Sequence, residues 1–551
     1  MKAKRKSHQH SCHNHCLWAI ALAIAGLLTL PRFAFADGST NAPTTLSGTP
    51  IGAMSKASWW KRLDDVMRAD LGTPAYIPPA PVPPGTTPPP PTRRDLPAPF
   101  DSPPYPNGEW QIGGTEVIGD QNLTPDYPFM ETLYEGPHGQ AWSDSRIKFY
   151  GWEDFSGNIS TSDHGGAAGQ VITGDNFPEA YDQRSDRFEQ NQLVFYLERT
   201  PDEAQTDHMD WGFRLSQVYG LDYRYMISRG WGSDQLLKHD AFYGTDNPMM
   251  YFNWYIPKIA DGLNLTFGRI ISEADIEAQL APNNLMSSHS LLYTYDPYCQ
   301  WGVFATLKLN KNWTIQLGPS AGNDLPFWET QDPGCQPTLS VMLQYTSDNN
   351  KFGFYGGGNA INNAHWGFNN IQQYVGTLTY KFSDKIWTSH ETWFMYQTEC
   401  PGQPSKINPY GVPAPDEPAG QNNNPYGGPL NKTGFGYTDG AIPVHPGWSA
   451  EWATLNYTMF RLGPSTFFTI RNEAFDDEDG QRTGFATLYS EHAIGITWWP
   501  TKLITFRPEI RYERTYGTHG SPSDLVDEAK PYDNGTRRQQ VTAQFDVIYR
   551  F

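Results

Sequence analysis

Between positions 504 and 513, Thr505, Arg507, Glu509, Arg511 and Glu513 alternate with Ile504, Phe506, Pro508, Ile510 and Tyr512. Alternate residues of an extended strand share one face, so four charges stand on one side and apolar groups on the other. The charged side must meet water and the apolar side lipid or core. Fixed charges of both signs can sort ions and dipolar solutes; they do not by themselves make or break bonds. Arg214 and Arg224 add cations to the same inventory, and Glu273, Asp275 and Glu277 space three acids along 270–298. No constellation points to catalysis. Ser389, His390 and Glu391 are adjacent, which sends neighbours to opposite faces of a strand rather than into a triad. H-E-x-x-H, Walker and dinucleotide-binding motifs are missing, and neither an enzyme nor a cofactor is expected.

The elements that would carry these charges repeat along the chain. From about residue 145, period-2 runs recur near 145, 191, 211, 248, 264, 300, 313, 338, 352, 373, 386, 448, 465, 485, 503 and 539. Tight turns at 310–312, 347–351, 383–385, 463–464 and 501–502 alternate with long polar connections such as 156–190, 271–299, 323–337 and 401–447. This asymmetry predicts an all-β fold: a transmembrane antiparallel β-barrel of about 16 strands, with 14 or 18 as alternatives. An even count puts both termini and the tight turns on the periplasmic side. The last run sets Val541, Ala543, Phe545, Val547, Tyr549 and Phe551 on one face and Thr542, Gln544, Asp546 and Arg550 on the other. It reads as the closing strand. Pro508 lacks a ladder donor and marks an irregularity. Trp301, Trp313, Trp387, Trp498, Trp499, Tyr512 and Tyr549 crowd strand ends and are expected in outward interfacial girdles, although aromatics inside a lumen could serve as a sugar slide.

Composition agrees without deciding. Aromatic residues make up 14% of the chain while its mean hydropathy is only −0.58. Alternating strands produce that combination, and so does a secreted β-protein. The formal charge of −19 becomes more acidic by five once Lys2, Lys4, Arg5, Lys6 and Arg32 leave with the N-terminus. Nucleic acid is thereby an unsuitable partner; divalent cations beside anionic lipid, a cation-tolerant lumen, or plain loop solubility all fit.

Four segments are expected. Residues 1–36 read as a secretory signal, with a basic start, an apolar run at 17–30 and Ala34-Phe35-Ala36 before the cut. His8, His10, Cys12, His13, His15 and Cys16 resemble a metal site but lie in this discarded segment, so no metal is expected. Residues 37–72 hold an amphipathic helix over 55–72, with Trp59, Leu63, Val66 and Met67 at helical spacing and Gly72 as its stop. Residues 73–140 begin with a proline-rich spacer at 73–106, extended at about 3.1 Å per residue and so on the order of 100 Å long. The barrel occupies 141–551. Three cysteines remain after processing; Cys299 and Cys335 flank one hairpin and are the disulfide candidate, leaving Cys400.

The wording of several stretches carries a resemblance. "IKFYGWEDFSGNIS" (147–160), "FYLERTPD" (195–202), "DWGFRLSQVYGLDYRY" (210–225), "DIEAQLAPNN" (275–284), "YTYDPY" (293–298) and "TLKLNKNWTIQLG" (306–318) together resemble the OmpL-like β-barrel porins of outer membranes. That resemblance implies passive diffusion of small hydrophilic solutes or ions, and it brings no functional residues with it. By analogy with general porins, the loop after the fifth strand folds inward. Glu273, Asp275 and Glu277 would then narrow the lumen opposite Arg507, Arg511, Arg214 and Arg224, setting a transverse field. The plainer alternative leaves those acids on a solvated outer face. Expected partners are outer-membrane lipid and lipopolysaccharide, small solutes, the assembly machinery that reads the terminal Phe551, a homotrimer by analogy, and a periplasmic or cell-wall partner through the N-terminal segment. The other functional readings are a structural or adhesive barrel and, behind it, an integral hydrolase.

Overall fold

The computed structural model describes residues 57–74, 118 and 127–551, except 163–175, 177, 180, 183, 229, 239–241, 272–274, 329–336, 350, 367–369, 384, 401–445, 484 and 518–529. The expected signal peptide, the proline-rich spacer, Glu273 and Cys335 fall outside the described residues.

Among the described residues, seventeen strands form one sheet. In chain order they are β1 (Ile147–Ser160), β2 (Phe188–Arg199), β3 (Asp210–Gly220), β4 (Gly244–Asp246), β5 (Met250–Ile256), β6 (Leu263–Ile271), β7 (Cys299–Lys308), β8 (Trp313–Asn323) and β9 (Thr338–Thr346). They continue with β10 (Phe352–Ile361), β11 (Gln372–Ser383), β12 (Ile386–Cys400), β13 (Gly447–Gly463), β14 (Thr466–Asp477), β15 (Thr487–Trp498), β16 (Ile504–Thr515) and β17 (Gln539–Arg550). Every neighbour pairs antiparallel, and β17 returns to β1 with Trp152 opposite Arg550. The sheet is closed. β4 and β5 both pair with β3, so they are two pieces of one strand and the barrel has 16 staves. The break falls at Asn247-Pro248, where proline has no N–H to give to β3. Pro508 acts more mildly: β16 keeps its register with β17, while its ladder to β15 lapses between Phe506 and Glu509.

Alternation sorts the faces as the sequence predicts. Phe252, Trp254, Phe267, Leu317, Leu378, Phe394, Ile494, Ile496, Trp498, Ile510 and Val541 point outward and are exposed. An apolar belt of that extent is stable only against lipid. The seam is tied at Phe551, whose N–H donates to the Gly151 carbonyl at 2.9 Å and whose carbonyl accepts from the Gly151 N–H at 3.1 Å. Its ring packs on Phe129 and Phe195. Gly151 has to be glycine, since a Cβ there would lie 2.1 Å from the Val194 carbonyl oxygen and 2.7 Å from the Phe551 ring.

The N-terminal helix, α1 (Trp59–Leu71), begins at Ser58, whose hydroxyl accepts from the Lys61 N–H at 3.3 Å. It packs on α2 (Pro128–Tyr134), which leads through α3 (Gly139–Ser145) into β1. Lys502, in the tight turn between β15 and β16, binds Asp70 of α1 at 3.0 Å and Glu131 of α2 at 2.5 Å. Helix α1 is therefore seated on the rim at the tight-turn end.

Candidate functional site

On the wall formed by β12 to β17, cross-strand partners build level rungs. Glu391, Leu455, Glu473, Glu491, Glu513 and Gln540 form one, each directly opposite the next. Two residues nearer the tight-turn end, Arg471, Ala493, Arg511 and Thr542 form another. Glu509 opposite Gln544, then Arg507 opposite Asp546, follow at the same spacing. All of these charges face the interior and are buried. The two-residue step comes from the pleat, so the alternation of sign along β16 becomes an alternation of level in the lumen.

The connection between β6 and β7 crosses this lumen. Its residues 275–298 are almost all buried and include a short helix, α5 in the chain once α4 (Gly232–Lys238) is counted, at Leu291–Tyr295. Wall carboxylates hold its backbone. Glu391 accepts from the Ile276 N–H at 2.7 Å, and Glu509 from the Ser287 and Ser288 N–H groups at 3.0 and 3.1 Å. Glu473 accepts from Leu291 at 2.9 Å and also from Leu292, which places a carboxylate on the otherwise unpaired donors that open α5. Arg507 donates to the Ala281 and Asn284 carbonyls at 2.8 and 2.6 Å. On the strands flanking this wall, the Tyr355 hydroxyl of β10 donates to the Asp275 carbonyl at 2.8 Å, and Gln192 of β2 donates to the Gln279 carbonyl at 2.7 Å. Ile276, Leu285, Met286, Leu291, Leu292 and Tyr295 share an apolar cluster with wall residues including Trp387, Trp393 and Phe475.

The charges are paired locally. Glu277 lies 3.3 Å from Arg471 and accepts from the Ser290 N–H at 2.9 Å. Arg471 also binds Glu491 at 2.5 Å; Arg511 binds Glu179 at 2.5 Å and Glu513 at 3.2 Å; Arg507 binds Asp546. Arg214, on β3, binds Glu198 of β2 at 2.7 Å, on strands just past the β17–β1 seam. Loop acids and wall arginines thus neutralise nearest neighbours, where the sequence led us to expect opposed rows. The low dielectric accounts for this, because an ion left unpaired there costs several kcal/mol by general estimate. Burial pushes the Asp275 carboxyl up to about 7 and raises that of Glu277. Burial, then the charges of Arg471, Arg507 and Arg511, hold the His289 imidazole well below its ordinary range, and its ring stacks on Tyr181 with centroids 3.9 Å apart.

Several expectations need correction. Arg224 is not on a strand: β3 ends at Gly220, where a Cβ would stand 2.0 Å from the Asn191 carbonyl, and Arg224 sits in the short helical turn Asp222–Tyr225. Trp387 and Trp499 face inward and are buried, Trp499 edge-on to Phe467. Trp301 is buried beside Trp231 and Trp328, its indole N–H donating to the Ser228 hydroxyl at 3.0 Å. These three are not girdle residues. The inserted loop and the outer connections give them protein to pack on, which a reading based on an open lumen overlooks. Cys299 is buried, and Arg269 donates to its Sγ at 3.3 Å. Arg471, Glu473 and Glu491 were missed, although the alternation rule used on β16 finds them when applied to β14 and β15.

A sequence profile of the family described as "Putative beta-barrel porin-2, OmpL-like" matches residues 147–551. No curated protein matches the chain. Among solved structures, the outer membrane channel DcaP of Acinetobacter baumannii is 11% identical with a TM-score of 0.41, the match covering 74% of this chain and 97% of that one. An anion-selective porin from Comamonas acidovorans is 8% identical at TM-score 0.41, over 74% and 99% of the two chains. OmpT of Vibrio cholerae is 9% identical at TM-score 0.39, over 74% and 97%.

Proposed function

The chain belongs to the OmpL-like porin-2 family of β-barrels and is an outer-membrane porin; on that footing we propose that small hydrophilic solutes or ions diffuse passively through a lumen narrowed by residues 275–298. The observation that carries this reading is the clamping of that loop by Glu391, Glu473 and Glu509, each of which accepts backbone N–H groups from it. A loop held this way narrows the passage permanently, because each charge-assisted bond is worth about 1.5–3 kcal/mol and its loss would leave a buried carboxylate unpaired. Arg507, Glu509, Arg511 and Glu513 act chiefly through the loop and their own partners, and Arg214 through Glu198. No chemical step is assigned to any residue.

Liposome swelling with sugars of increasing size tests the reading. Uptake should fall off steeply at small solute size, and a sharp rise in the size limit should follow when Glu473 and Glu509 are both changed to Gln. Swelling in large sugars by the unaltered protein would overturn the narrow passage. We further propose that Phe551 is read by the assembly machinery. Its removal should lower the yield of folded barrel more than it alters the conductance of the barrels that do form. We also propose that helix α1, seated on the tight-turn rim, meets a periplasmic partner.

A further inference from the structure

Helix α1 carries a face that solute passage does not call on. Arg62, Leu63, Val66 and Asp70 are buried toward α2 and the tight-turn rim. At about 3.6 residues per turn, Lys61, Asp64, Asp65 and Arg68 fall on the far side, and Trp60, Met67 and Leu71 on the strip between the two. The charged side cancels itself, Lys61 binding Asp65 at 2.8 Å and Arg68 binding Asp64 at 2.9 Å. The apolar strip is open: Trp60 is 75% exposed and Leu71 is exposed as well. One helix thus offers three faces, suited to protein, to water and to an apolar surface.

A ridge of rings leads from the lipid-facing belt to this strip. Phe195 of β2 stacks on Phe149 of β1 with centroids 5.9 Å apart, and Phe149 stacks on Phe129 of α2 at 5.7 Å. Phe129 meets Trp59 at 6.1 Å, and Trp59 meets Trp60 edge-on at 4.7 Å. Phe149 and Phe195 stand on the outward face, alternating with the buried Tyr150, Trp152, Val194 and Tyr196. The ridge therefore begins against lipid and ends at Trp60. Trp313, Tyr380 and Trp498, exposed beside tight turns, mark the same end of the barrel. Tryptophan suits this level of a bilayer because its ring favours the apolar side and its N–H the wet one.

We propose that α1 is an interfacial helix whose Trp60, Met67 and Leu71 rest on phospholipid of the periplasmic leaflet, while Lys61, Asp64, Asp65 and Arg68 face the periplasm and its partner. Since the exposed charges cancel in pairs, zwitterionic lipid serves as well as anionic lipid. The contact also shields the β17–β1 seam, where the Phe551 ring packs into the same ridge on Phe129 and Phe195.

Nitroxide labels on the purified barrel in phosphatidylcholine vesicles test this. Cys299 and Cys400 are buried and escape labelling, so Cys335→Ser supplies the background. Labels on Trp60→Cys and Leu71→Cys should be relaxed by oxygen in preference to a water-soluble nickel chelate, at a depth of about 5–10 Å into the headgroup–acyl boundary. A label on Asp65→Cys should show the reverse preference, and phosphatidylglycerol vesicles should leave all three depths unchanged. Nickel relaxation at 60 and 71 equal to that at 65 would overturn the proposal. So would labels shielded from both reagents, the sign of a second copy over the strip. Leu71→Cys lies off the aromatic ridge and decides alone should Trp60→Cys fail to fold.

Discussion

On β14 to β17 the inward positions carry Arg471, Glu473, Glu491, Arg507, Glu509, Arg511, Glu513 and Asp546, whereas on β8 to β11 they carry Gln316, Ser320, Thr338, Ser340, Asn359, Gln373 and Thr377. The neutral side pairs mostly within itself: Ser340 donates to Gln300 at 3.0 Å, Asn359 to Gln373 at 2.9 Å, and the Ser320 and Thr338 hydroxyls are 2.6 Å apart, while Tyr355 of β10 reaches the loop. The charged side instead spends many of its groups on the loop. Hydroxyls and amides match donors to acceptors within one wall, so they close on themselves. Carboxylates and guanidinium groups of unequal number leave sites over, and the backbone of 275–298 fills them. The difference teaches that the charges of this lumen serve first to seat a loop.

The comparison can be broken most severely at Arg471. Arg471→Met leaves Glu277 and Glu491 buried without their cation, and a loss of about 3–5 kcal/mol is expected in urea unfolding monitored by heat-modifiable migration. A loss as small as that of a neutral-wall variant would remove the distinction between the walls. Ser340→Ala, the matching change on the other side, should cost about 1 kcal/mol in the same titration.

A gentler probe is pH. The carboxyl of Asp275 in the folded state sits at about 7, above its unfolded value of about 3.9, so the folded protein holds the extra proton between those values. Stability from this group is fully present below about pH 4 and falls as pH rises through 7. The groups around it, Glu391, Asp296 and Glu277, are all acids, with the Tyr355 hydroxyl on the neighbouring wall's strand β10. Amide hydrogen exchange over 275–298 should therefore, after correction for intrinsic rates, be more protected at pH 5 than at pH 8; equal protection would remove the role of Asp275. Smallest of all, Lys61→Ala on α1 touches neither wall. Its exposed pair with Asp65 should leave the unfolding midpoint unchanged.

Much of this was legible because one rule, alternation, carries both the strand count and the sidedness. The run near 248 gives that rule little to read, because Pro248 interrupts the strand that the rule needs whole. The direction of Arg507, Glu509, Arg511 and Glu513 followed from the same rule. Their partners did not, since Asp546 and Glu179 come from other strands or connections and only register brings them together. Trp387 was misread for a related reason. An inward tryptophan is unfavourable in an empty channel and favourable against Leu291 and Leu292, and nothing local to residue 387 reveals that a loop 90 or so residues earlier in the chain will occupy the space.

Single-channel recording in planar bilayers tests the central claim most directly. The unaltered porin should insert and conduct in small steps, and Glu473→Gln/Glu509→Gln should conduct in clearly larger ones as residues 275–298 loosen from the charged wall. Stable insertion without current at any voltage, or identical steps from the two proteins, would contradict it.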